Sequence, residues 1–171
     1  MWGFAVAMRE LADQLQLACL SPAAIWHAAS SGGTTAGLGW ADDRLDLELP
    51  IVACTIGESA AAASARVTHI WEAAAGAVGG DLPTPRLRYE DGYVGAGYGA
   101  VTDAELAVQA EATALTGMLF DPTYSGKALY GLYQEIQRGR FASDDHVVFW
   151  HTGGGFEVFS HDYESALDSS T

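Results

Sequence analysis

The sequence contains no asparagine and a single lysine, Lys127, among its 171 residues. Only 8 side chains are Lys or Arg against 22 Asp or Glu, giving a formal net charge of −14. Nucleic acids and anionic membrane surfaces are bound through basic faces, so this balance excludes both as expected partners. No apolar run approaches the ~18–20 residues that a membrane-spanning helix needs. The start, Met1-Trp2-Gly3-Phe4, has no basic stretch of the kind that opens a secretory signal, and a cytoplasmic location is the expectation. Cysteine is scarce too. Cys19 and Cys54 sit in apolar stretches and are expected to be buried free thiols rather than a disulfide framework. The histidines have no ligand-like spacing and there is no Cys-x-x-Cys, so no metal site is expected.

What is present is enough apolar material for a core: hydrophobic residues make up 49% of the chain, and its length suits one domain. Phe4, Ala7, Met8, Leu11 and Leu15 recur at helical spacing and predict an amphipathic helix over 3–18. Short, continuously apolar runs at 24–29, 50–56 and 147–150 read as buried strands. Shorter strands are expected at 87–89 and 118–120. Helices are expected near 35–41, over 58–77, from the Thr102-x-x-Glu105 capping box to Thr116, and over 126–138. In the last of these, Leu129, Leu132, Tyr133 and Ile136 form the apolar stripe, with Ser125 as its N-cap and Lys127 as an exposed stem in its first turn. Helices alternating with such strands predict an α/β fold with a parallel sheet covered on both faces. In sheets of this kind ligands bind at the carboxyl ends of the strands.

Two glycine-rich turns fall at that end. Ser31-Gly32-Gly33-Thr34 follows the strand at 24–29, and His151-Thr152-Gly153-Gly154-Gly155 follows the strand at 147–150. A loop without side chains bares backbone N–H groups and can hold a phosphate, although glycine is often needed only for the turn itself. Neither turn is a G-x-G-x-x-G fingerprint or a P-loop. Between them lie Tyr98, flanked by Gly97 and Gly99, and the segment Asp121-Pro122-Thr123-Tyr124-Ser125-Gly126-Lys127.

These pieces, with Trp2-Gly3-Phe4-Ala5-Val6-Ala7 and Thr35-Ala36-Gly37-Leu38, occur in an order and spacing that resembles the D-cysteine desulfhydrase and 1-aminocyclopropane-1-carboxylate deaminase family. These are fold-type II pyridoxal-phosphate enzymes of the tryptophan synthase β superfamily. The resemblance implies a three-layer parallel-sheet sandwich in which 1–160 forms the C-terminal portion of a cofactor-binding domain and 161–171 a polar tail. It implies pyridoxal 5′-phosphate as cofactor and a small amino acid as substrate. Ser31, Gly32, Gly33 and Thr34 would hold the phosphate, and Thr152 and Gly153 would line the same side. Tyr98 and Tyr124 would orient substrate and move protons. Ser125 would face the pyridine nitrogen, where a neutral hydroxyl favours desulfhydrase-like β-elimination over the deaminase chemistry that a carboxylate supports.

Lys127 matches a helix-start lysine of the family and not the Schiff-base lysine, which the resemblance places in an N-terminal half. The resemblance therefore implies a chain inactive by itself, with a missing N-terminal half or a second copy as partner. A non-catalytic remnant that binds a phosphorylated small molecule or another chain is the alternative.

Overall fold

The apolar spacing near the start produces the helix it predicts. In the computed structural model, which describes residues 1–159, helix α1 (Trp2–Ala18) buries Met8 fully and leaves Phe4, Ala7, Leu11 and Leu15 half-buried on the same side. The helix ends at Cys19, whose backbone turns left-handed at φ 53°. Cys19 is exposed there, contrary to the expectation of a buried thiol, because the helix that would have carried it inward has already ended. Cys54 is buried as expected. The tail expected at 161–171 lies outside the described residues.

Four strands, β1 (Ala24–Ala29), β2 (Ile51–Thr55), β3 (Leu87–Glu90) and β4 (Val147–Trp150), form one sheet in the order β3-β2-β1-β4. Every pairing is parallel, with Ile25 opposite both Ile51 and Val148. The central pair is covered on both faces, and this is why β1 and β2 read as unbroken apolar runs. Helices α1, α2 (Gly33–Arg44) and α3 (Ala60–Val78) cover one face, on which Ile25, Ile51 and Leu87 lie. Helix α5 (Ser125–Gln137) covers Trp26, Val52 and Cys54 on the other, backed by α4 (Asp103–Thr116). The three layers are those expected. α1 and α2 approach so closely that a Cβ at Gly37 would overlap the Met1 carbonyl and Phe4. Among the described residues no helix is long and apolar enough to cross a membrane.

The capping box forms in full: the Glu105 N–H donates to Thr102 Oγ1 at 3.3 Å, and the Thr102 N–H donates to Glu105 Oε2 at 2.7 Å. Two further expectations fail at the level of these elements. Residues 118–120 are a loop and not a strand, because their polar groups are taken by side chains instead of a ladder. The Met118 N–H donates to Thr116 Oγ1 and the Leu119 carbonyl accepts from His151. On α5, Tyr133 and Ile136 are exposed and only Leu132 of the predicted stripe is buried. The face against the sheet is made of Ala128, Gly131 and Leu132. A Cβ at Gly131 would come within 2.9 Å of Tyr93 and 3.1 Å of the Cys54 sulfur, so close approach selects small residues there. The bulkier stripe, with Leu129, faces α4 instead and lines an open apolar groove of about 210 Å³ with Val108 and Leu115.

His27 in β1 is fully buried; its Nδ1 donates to the Ala28 carbonyl at 2.9 Å while Nε2 has no partner. Burial lowers this imidazole from 6.5 to about 4. The unfolded chain therefore takes up a proton near pH 6.5 that the folded chain refuses until about pH 4. His27 supports the fold fully above pH 6.5, and about 3 kcal/mol is lost as the pH falls from there to 4. Urea unfolding at stepped pH should show this slope in the wild-type chain, reduced by that amount in His27→Leu. An equal slope in the two proteins would exclude His27 as its source.

Candidate functional site

The carboxyl ends of β1 and β4 lie side by side because the strands are parallel neighbours, so both glycine turns arrive at one edge of the sheet. The β1 turn passes through Gly32 at φ 86° and enters α2, whose first-turn amides point outward at the positive end of the helix. A Cβ at Gly32 would crowd Ile70 at 3.1 Å and Arg66 at 3.3 Å, so the turn is tight as well as left-handed.

A cavity of about 210 Å³ opens over this turn. Its wall includes Ser31, Gly32 and Thr34 from the turn, Tyr124 from the start of α5, and Thr152 from the second glycine turn. Five sequence-predicted site residues are thus gathered from three separate segments. Gly33 stands in the first turn of α2 and Gly153 next to Thr152, both beside this wall rather than in it. Thr35, which the sequence reading did not single out, borders the cavity and is fully buried with no partner for Oγ1.

A second cavity of about 360 Å³ shares Ala29, Ser30 and Ser31 with the first and reaches Gly57, Glu58, Arg66 and Tyr98. Arg66 lies 2.5 Å from the Glu58 carboxylate, whose hydrogen bond and charge raise the guanidinium above its ordinary range. All eight Lys and Arg side chains are ion-paired in this way. An anion at the turn therefore meets backbone amides and hydroxyls before it meets any unpaired cation.

Tyr98 and Tyr124 come together between the two cavities. Their hydroxyls are hydrogen-bonded, and the rings cross edge to face at 5.8 Å and 78°. Tyr98 packs over Gly57, where a Cβ would stand 3.2 Å from its own, and is 60% exposed. Two aromatic residues that the sequence placed only on glycine-flanked and helix-start segments are thus a contacting pair.

Ser125 is not the N-cap of α5; it is the first residue of the helix and makes no cavity wall. The cap belongs to Asp121, fully buried, whose carboxylate accepts the N–H groups of Thr123, Tyr124 and Ser125 at 2.9, 2.5 and 2.7 Å. It also accepts the Ser125 hydroxyl at 2.6 Å. The reason is geometric: a side chain four residues back reaches three successive amides, which Ser125, inside the first turn, cannot. The Asp-Pro-Thr order, with an acid able to close a turn on its own backbone, was the available signal. The second glycine turn closes on the same carboxylate, since a Cβ at Gly154 would overlap it. The turn is held by His151, whose Nε2 donates to the Leu119 carbonyl at 2.9 Å while its Nδ1 accepts the Gly153 N–H at 3.2 Å.

Lys127 is not an exposed stem. It is 1% exposed and lies 3.2 Å from Glu105 Oε1, away from both cavities. The first turn of α5 packs so closely on α4, with a Cβ at Gly126 overlapping Gln109, that the amine is directed inward to the Glu105 carboxylate.

Fold and site define a parallel-sheet α/β domain with its open cavities at the strand ends, framed by two glycine turns and a tyrosine pair. The chain belongs to the pyridoxal-phosphate dependent enzyme family, whose pattern matches residues 1–153. Pyridoxal 5′-phosphate is the cofactor of that family. The chain is 32% identical over 160 residues to the D-cysteine desulfhydrase of Salmonella paratyphi C (strain RKS4594), covering 93% of this chain and 48% of that protein. The D-cysteine desulfhydrase of Salmonella newport (strain SL254) is 31% identical with the same coverage. The solved structure of an ACC deaminase homologue superposes with a TM-score of 0.82 at 28% identity, over 99% of this chain and 49% of that one. A fungal L-serine ammonia-lyase from Rhizomucor miehei shares the fold, with a TM-score of 0.53 and 20% identity. The chain spans about half the length of the curated relatives it matches.

The residues present fit the phosphate end of the cofactor. The Gly32 cradle, the free first-turn geometry of α2 and the orphaned Thr35 hydroxyl beside the cavity are what an anion would use. Among the described residues none fits the aldehyde end, because the one lysine of the chain is buried in an ion pair elsewhere.

Proposed function

We propose that this chain is the C-terminal, phosphate-holding part of a pyridoxal-phosphate-dependent lyase or deaminase of small amino acids, with D-cysteine desulfhydrase-like β-elimination as its chemistry, in which sulfide leaves and water converts the remainder to pyruvate and ammonia. The observation that carries the reading is the convergence of Ser31, Gly32, Thr34, Tyr124 and Thr152 on one cavity at the strand ends. When bound, the cofactor supplies a ring that accepts the electron pair from the carbon next to the substrate nitrogen. The protein residues do the rest. The amides from Ser31 to Thr34 hold the phosphate, and Thr152 and Gly153 close the same side. The Tyr98–Tyr124 hydroxyls hold and pass a proton between their phenolic oxygens. Ser125 stands behind Tyr124, outside the cavity wall, with its hydroxyl given to Asp121; in this reading it brings no carboxylate of its own to the ring, which favours elimination.

The same chain by itself turns over no amino acid in this reading, because Lys127 is committed to Glu105. That commitment also supports the second reading, in which the chain binds a phosphorylated small molecule without chemistry. Equilibrium binding of pyridoxal phosphate and of pyridoxine 5′-phosphate, which lacks the aldehyde, tests both. Comparable affinity for the two, with no pyruvate or ammonia from D-cysteine, is the expected result. Failure of either compound to bind refutes the cofactor-holding role, and pyruvate release by the chain alone refutes its inactivity. Turnover that appears only when a lysine-bearing N-terminal half of a relative is added would decide for the enzyme over the remnant.

A further inference from the structure

We infer that Lys127 is a positioning residue for the Tyr98–Tyr124 pair, an inference that rests on the proton-handling role proposed for those tyrosines. Its Nζ donates at 3.2 Å to Glu105 Oε1 and at 3.2 Å to the Val94 carbonyl. That carbonyl also accepts the Gly97 N–H at 3.2 Å, closing the turn that presents Tyr98. The second oxygen of Glu105 accepts the Thr102 N–H at 2.7 Å and the Thr102 hydroxyl at 2.8 Å. One ammonium therefore joins three points: the turn before Tyr98, the cap of α4 that ends the same loop, and the first turn of α5, just past Tyr124.

The loop has need of such a tie. Gly95, Gly97 and Gly99 all have positive φ, at 63°, 122° and 75°. Glycine reaches those conformations freely and for the same reason does not hold them. A Cβ at Gly95 would stand 3.5 Å from the Lys127 Nζ, so the ammonium lies directly against the turn. With Lys127 and Glu105 only 1% and 4% exposed, neither charge has water to turn to if the pair opens. Tyr98 sits well out in solvent, so without this tie its hydroxyl contact to Tyr124 and its packing over Gly57 are too exposed to keep the two rings together.

The double variant K127M/E105Q tests the inference. A glutamine at 105 still accepts the Thr102 N–H through its amide oxygen, so α4 stays capped, and a methionine at 127 fills the buried channel without a charge. Helical content and cooperative melting should match the wild type, while the NMR cross-relaxation between the Tyr98 and Tyr124 rings is lost. Full retention of that signal in the folded variant overturns the inference. A second measurement uses the wild-type chain and stands even if the variant does not fold. After incubation with pyridoxal phosphate and borohydride, peptide mapping should find Lys127 unmodified, and a cofactor-labelled Lys127 would overturn its positioning role. The ring signal needs no bound cofactor, so failure of the chain to bind pyridoxal phosphate refutes the proposed function and leaves this comparison to be decided on its own.

Discussion

Asp121→Asn is expected to lower stability by about 3–5 kcal/mol and to free the start of α5. The carboxylate has no contact with solvent and accepts four hydrogen bonds, two on each oxygen. An asparagine keeps the shape but has one acceptor oxygen. Its amino group must then face either the amides of Thr123 and Tyr124 or the amide of Ser125 beside its hydroxyl, donor against donor at each amide. The charge also sits before the N-terminus of α5, where the helix dipole favours an anion, and the neutral amide loses that term. The close approach of Gly154 leaves no room for a water to take over the missing acceptor. Urea unfolding gives the size of the loss. The ring contact between Tyr98 and Tyr124 should weaken in parallel, since the Tyr124 amide is one of the four donors. A stability within about 1 kcal/mol of the wild type would show that the carboxylate is not the cap that its geometry describes.

The contrast between Asp121 and Ser125 illustrates which features were legible in the sequence. Helical spacing located α1, and short continuous apolar runs located β1, β2 and β4, to within a few residues; the capping box at Thr102 gave the start of α4, because each depends on neighbours in the chain. Each glycine turn follows a strand predicted to be parallel, so both were expected at the carboxyl end of the sheet, and parallel pairing places them there. What depended on distant partners was read less well. The buried face of α5 is set by how near Tyr93 and Cys54 come to Gly131, and apolar periodicity registers hydrophobicity rather than size. Lys127 looked like a solvated stem because Glu105 and Val94, its partners, are far from it in sequence. Tyr98 and Tyr124 each suggested a pocket residue, but only the folded loop reveals that they touch.

Trp26→Ala carries the second large effect, a loss of about 3–5 kcal/mol. Trp26 lies in β1 between Val52 of β2 and Phe149 of β4, with no solvent exposure, and its ring fills the space between the sheet and α5. Its indole N–H donates at 2.8 Å to the Ala128 carbonyl, one residue past Lys127. The Arg140 guanidinium covers the ring at 5.6 Å from its centre. Removal of the ring leaves a void that β1, paired on both sides, cannot collapse to fill, so the cavity term adds to the lost burial. The same residue fixes the height of α5 above the sheet, and with it the position from which Tyr124 reaches the cavity. Trp26→Phe separates the two contributions: it restores most of the volume but has no donor, and should cost about 1–2 kcal/mol. Urea midpoints measure both losses, and binding of pyridoxine 5′-phosphate should weaken in Trp26→Ala more than in Trp26→Phe. Equal binding in the two variants would mean that α5 finds its place without the ring, through the Lys127 and Asp121 contacts at its first turn.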